Sequence, residues 1–124
     1  MAELDWDALS EFVDGMWDDS ALPDLYRFIE IPALSPAFDA DWNANGHLDA
    51  TIDLFTAWLA TVPLEGLSVN VHQLAGLTPL ILCKVEGTAP GEVLFYSHLD
   101  KQPEFTGWSE GKGPWKPVRE GDWL

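Results

Sequence analysis

Apolar residues recur at one spacing before Pro63 and at another after Gly66, and this switch points to a chain of helices followed by strands. Before the switch, Trp6, Leu9, Val13 and Met16–Trp17 fall every three or four positions. That spacing predicts an amphipathic helix over about 5–17, with Asp5 near its start. Ser20 is placed to cap a second helix whose apolar residues are Leu22, Leu25, Tyr26, Phe28 and Ile29, and Pro32 ends it. The stretch Pro32–Asn45, rich in Pro, Ala, Asp and Asn, reads as a loop. A third helix is predicted from about Gly46 to Thr61, with Leu48, Ile52, Phe55 and Leu59 in one stripe. Asn45 is its candidate cap, and Pro63 with Gly66 its stop.

After the switch, Leu67, Val69 and Val71 alternate with Ser68, Asn70 and His72, the pattern of a half-covered strand. Ala75–Thr78 reads as a turn. Leu80–Val85 and Val93–Ser97 are nearly continuous apolar runs, the pattern of strands covered on both faces. The expectation is an α/β fold, N-terminal helices followed by a mixed sheet, with Val93–Ser97 as a central strand. His98 then stands at the carboxyl end of that strand, where open α/β sheets place their ligands. From Lys101 onward the chain is irregular and rich in Pro, Gly and Trp, and no repeat or low-complexity tract interrupts it.

The 124 residues fit one domain, and 47% apolar residues are too many for a disordered chain. Seven Trp imply a bulky core or a surface that something covers. The net charge of −15 repels nucleic acid and anionic membranes, so neither is expected as a partner. No window approaches the roughly 18 apolar residues of a membrane span. The first residues are acidic and lack the basic and apolar regions of a secretory leader, so a cytoplasmic location is expected. Cys83 is the only cysteine and lies in the apolar run Pro79–Val85, where a buried, inert thiol is expected.

The chemistry concentrates in Val93-Leu-Phe-Tyr-Ser-His98-Leu-Asp100-Lys-Gln-Pro103. Residues at i and i+2 of an extended segment point to the same side, so His98 and Asp100 share one environment while Leu99 packs opposite. A neutral imidazole is a good zinc ligand, and its second nitrogen wants a carboxylate that fixes ring orientation and tautomer. A bare His-x-Asp is nevertheless common by chance, and its surroundings carry the argument.

Downstream stand Gln102-Pro103, Gly107-Trp108, Gly113-Pro-Trp-Lys-Pro117 and Glu120-Gly-Asp-Trp-Leu124. In this order they resemble the di-zinc metallopeptidase family that includes carnosinase and other dipeptidases, acetylornithine deacetylase, succinyl-diaminopimelate desuccinylase, aminoacylase and glutamate carboxypeptidase. The match covers about 92–124. Upstream, Leu22–Pro36 also looks like the family's opening helix and Ile-Pro-Ser-x-Ser stretch, with Ala33 departing from the usual residue. The resemblance implies that His98 is the first zinc ligand and Asp100 the acidic residue that orients it and is treated as catalytic. It implies two zinc ions in the intact enzyme, a small peptide or N-acyl amino acid as substrate, and hydrolysis of an amide bond near a free carboxylate. It is compatible with a homodimer of the full-length enzyme. The family's bridging aspartate, Glu pair, later carboxylate ligand and final His have no counterpart within 1–124. The chain therefore reads as the N-terminal portion of a catalytic domain, truncated at Leu124 and inactive alone.

Other residues rank lower. His47 near a helix start and His72 in a strand read as structural or solvated, and their spacings to His98 fit no local ligand motif. Ser97 lacks an acid and base of its own and is no nucleophile. Trp108 and Trp115 are expected to pack over the sheet. Asp18, Asp19, Asp39 and Asp41 read as solvated loop acids. The rival reading is a non-catalytic acidic fragment or interaction module.

Overall fold

A computed structural model describes residues 4–124 and divides the chain into two compact units, 1–30 with 108–124, and 31–107. It combines helices with a small antiparallel sheet.

In the first unit, helix α1 spans Trp6–Met16. Asp5 caps it as its position predicts: the side chain accepts a bond from the Ala8 N–H at 3.0 Å, satisfying one of the orphan donors of the first turn. Its apolar stripe lies open, with Trp6 71% and Phe12 58% exposed. Helix α2 spans Leu22–Glu30, and the π-helical turn Trp17–Ala21 joins it to α1 without a break. Ser20 therefore sits inside a wide turn and not at a helix start, contrary to its sequence reading. The reason lies at Pro23, which has no N–H for the Asp19 carbonyl and whose ring crowds that carbonyl. Widening the turn relieves the clash without ending the helix. Leu22 is buried, and Arg27 holds Asp24 at 2.9 Å on the exposed face. Asp18 and Asp19 belong to this turn, not to a loop.

Residues 108–124 belong to the same unit. Trp108, Pro114, Pro117 and Trp123 line an open groove of about 540 Å³ together with Leu25 and Ile29 of α2. Trp108 and half-buried Trp115 thus belong to the helical unit, whereas the sequence reading grouped them with the sheet. Two small bridges, Gly113 to Lys116 and Glu120 to Trp123, shape the segment, and Lys112 reaches Glu120 at 2.6 Å.

In the second unit, helix α3 spans His47–Leu59. Asn45 accepts a bond from the His47 N–H at 3.0 Å, while Gly46 takes the left-handed conformation (φ 77°) that lets the chain turn into the helix. Asp39 is not merely solvated: it accepts bonds from the Asn45 side chain and the Asp41 N–H, which brace this entry. The predicted stripe forms, with Leu48 buried and Ile52, Phe55 and Leu59 half-buried. Thr51 is the most enclosed residue of the helix at 0% exposure, and its hydroxyl donates to the His47 carbonyl at 3.0 Å. Burying it leaves no polar atom unsatisfied.

Strands β1 (Leu67–His72) and β2 (Leu80–Val85) pair antiparallel with Val69 opposite Cys83. Leu67 and Val69 are half-buried and their polar neighbours exposed, as the alternation predicts, but Val71 is exposed and the pattern ends before it. Two expectations fail here. The run Val93–Ser97 joins no sheet, and Cys83 is exposed. Among the described residues the sheet has two strands where a mixed sheet was expected, so β2 has one neighbour and its side chains are mostly uncovered.

Candidate functional site

The site is built where two distant segments of the second unit meet. Ile31–Ser35 lies beside Asp100–Lys101, joined by a parallel bridge between Leu34 and Lys101. The Lys101 N–H donates to the Ala33 carbonyl at 2.8 Å, and the Ser35 N–H donates to the Lys101 carbonyl at 2.9 Å. The Lys101 ammonium donates to the Ile31 carbonyl at 2.6 Å. Ala33, fully buried, is the residue against which this junction closes. Its small side chain suits that enclosure.

His98 and Asp100 project from one end of the junction as the i, i+2 spacing predicts. The His98 Nδ1 lies 2.8 Å from the Asp100 carboxylate Oδ1 and 3.1 Å from the Asp100 carbonyl oxygen. A carbonyl oxygen only accepts, and so does an ionised carboxylate, so Nδ1 is the protonated nitrogen of the neutral ring. Nε2 is left with its lone pair, the state a metal ligand needs. The His98 side chain is 63% exposed and Asp100 29%, so the ring remains open to solvent.

Burial works to raise the Asp100 pKa, but hydrogen bonds from the Ser35 and His98 side chains and the charge of His98 outweigh it. The carboxyl is held below its ordinary value and stays ionised at neutral pH. Burial moves the Lys101 ammonium the other way, down to about 8. Ser35, Leu48, Thr51 and Ile81 line, with His98 and Asp100, an open cleft of about 450 Å³.

His47 and His72 lie on α3 and at the end of β1, and neither joins His98 in a ligand cluster. Among the described residues, no three of His, Cys, Asp and Glu stand close enough to hold a metal ion. Ser97 is exposed. Sequence reasoning passed over Ser35 and the half-buried Lys101. The only signal for Ser35 was its place between Pro32 and Pro36 in the stretch already compared with the family. No family model matches the chain, and no curated protein matches it significantly.

Proposed function

We propose that this chain carries the first metal motif of a zinc-dependent metallopeptidase of dipeptidase type, which hydrolyses a peptide or N-acyl amide bond near a free carboxylate. The supporting observation is the His98–Asp100 pair: a ring whose Nδ1 faces two acceptors, which makes Nε2 the nitrogen that carries the lone pair when the ring is neutral. His98 fits one coordination position of a zinc ion, with Asp100 fixing its tautomer. In an intact enzyme of that family, bound zinc would supply Lewis-acid polarisation of the substrate carbonyl and a more acidic bound water, with His98 as one of its ligands. Within this chain Asp100 holds the ring, and the parallel bridge through Lys101 holds Asp100. The finer fold assignment, the opening portion of a zinc-exopeptidase catalytic domain, belongs to the same proposal.

A catalytic zinc site takes about three protein ligands plus an open position, and the described residues bring one. The purified chain is therefore expected to release no amino acid from a dipeptide panel, with or without zinc. Zinc binding is expected near millimolar, about 4 kcal/mol, against roughly 10–16 kcal/mol for a complete structural site. Zinc titration followed by the imidazole nitrogen resonances checks the assignment. The Nε2 signal of His98 should move first and be absent in His98→Ala. Zinc that perturbs His47 or His72 and leaves His98 unmoved overturns the proposal, and zinc-dependent hydrolysis lost in His98→Ala overturns the single-ligand reading.

A further inference from the structure

Two apolar surfaces of the first unit lie open to solvent, and their charges are opposite. One is the stripe of α1: Trp6, Leu9, Phe12 and Val13 are exposed, and no residue of the helix is buried. The other is the groove of about 540 Å³ that Leu25 and Ile29 share with Trp108 and Trp123. We infer that two copies of this chain associate by exchanging these surfaces, the α1 stripe of each copy lying in the groove of the other.

Charge selects the occupant. Helix α1 carries Asp7, Glu11 and Asp14 behind its Asp5 cap, and no basic residue. The groove is lined by Lys112 and Lys116, two of the six basic residues in a chain of net charge −15. Glu120 offsets one of them through its bond to Lys112 at 2.6 Å, which leaves the lining net positive. Helical geometry puts Asp7 and Asp14 beside the Trp6 edge of the stripe, where a lysine of the groove wall can reach them. An amphipathic helix laid into an apolar groove anchors through residues at i, i+3 and i+7. Trp6, Leu9 and Val13 have that spacing.

The contact cannot close within one copy. Helix α1, the π-helical turn and α2 run on without a break, which puts Trp6 about 28 Å along the axis from Leu25. Folding back would mean breaking that helix. Exchange also reaches the size a specific pair needs. At their exposures, Trp6 and Phe12 offer on the order of 200–300 Å² per helix. Counted over both helices and both groove walls, the pair covers about 1,000 Å², the lower bound for a specific interface. The charge of −15 on each copy opposes the approach. At ordinary salt it is screened beyond about 8–10 Å, whereas seated side chains act at contact.

The test is the oligomeric state of the full chain, read by sedimentation velocity. Wild type should form a dimer with a dissociation constant on the order of 10–100 μM, the weak end for an interface of this size. Phe12→Ser on the helix and Trp123→Ser in the groove should each weaken it about a hundredfold, because both exchanged contacts lose an aromatic anchor. Both side chains are exposed, so the far-UV circular dichroism of each variant should match wild type. The two variants mixed in equal amounts should pair better than either alone, since an intact α1 then meets an intact groove at one contact. If Trp123→Ser disturbs the 108–124 segment, Lys116→Glu, also exposed, takes its place and should weaken the dimer about tenfold. A wild-type chain that stays monomeric at about millimolar concentration overturns the proposal. A dimer weakened by Phe12→Ser but by neither groove variant pairs α1 with α1, and overturns it too. So does a dimer that no variant weakens, or a mixture that pairs no better than its parts.

Discussion

Two neighbouring stretches of the second unit behave in opposite ways. Val93–Tyr96 is uniformly apolar, yet its residues are 81–89% exposed and make no ladder bonds. Asp100–Lys101 is charged, yet it is paired to Ile31–Ser35 by backbone bonds and closes on fully buried Ala33. Hydrophobicity does not by itself bury a segment. A partner strand or segment does, because it satisfies the backbone groups that burial strips of water. The frame of the His98–Asp100 pair therefore comes from 31–35, and the apolar run that precedes the pair contributes little to it.

The largest expected effect follows at Ala33. Enlarging it in Ala33→Leu overfills the junction and should cost about 1–3 kcal/mol, read as a lower urea midpoint. An unchanged midpoint breaks the comparison from the ordered side.

Lys101 sharpens it through pH. The folded chain sheds the Lys101 proton near 8, whereas an unfolded lysine keeps it to about 10.4. Between those values unfolding takes up a proton, so stability rises with pH across the window and the penalty of the half-buried charge is full below it. Lys101→Met should flatten that rise in urea titrations at pH 7.5, 9 and 10. An identical slope in the variant shows that the ammonium is solvated and the junction looser than described.

The smallest effect belongs to the exposed run. Phe95→Ser should change stability by no more than about 0.5 kcal/mol while lowering the binding of a dye for apolar surface and salt-promoted association. A cost above about 1 kcal/mol means that Val93–Tyr96 is covered in solution, and the contrast with Asp100–Lys101 disappears.

Much of this was legible in the sequence, for reasons that differ by element. Helix α1, helix α3 and the alternation of β1 are local patterns, and each formed within a residue or two of its expected bounds. Asp5 caps α1, and Asn45 braces the entry to α3 although Gly46 is the cap there, each through a bond to a residue two or three positions away, so their chemistry is also local. His98 and Asp100 meet because two positions separate them. What stayed hidden depends on distant partners. Whether Val93–Ser97 is a strand is decided by neighbours, not by its own composition, and the exposure of Cys83 follows from the same missing cover. The segment 31–35 meets Lys101 through a bridge that no spacing rule anticipates. Ser20 misled differently: a helix that widens ahead of a proline looks in sequence like one that ends and restarts.

That widened turn also sets how the first unit tolerates changes in length. A π-helical turn holds one residue more than an α-helical turn, so Trp17–Ala21 can be viewed as an α-helix carrying a one-residue insertion. Removing Asp18 or Asp19, both exposed, takes away no buried contact. It would nonetheless rotate every side chain of α1 by about 100° relative to Leu25 and Ile29, sending the Trp6–Leu9–Val13 stripe to a different azimuth. In this stretch substitutions are cheap and deletions are not, because the residue count there stores the phase between two helical faces.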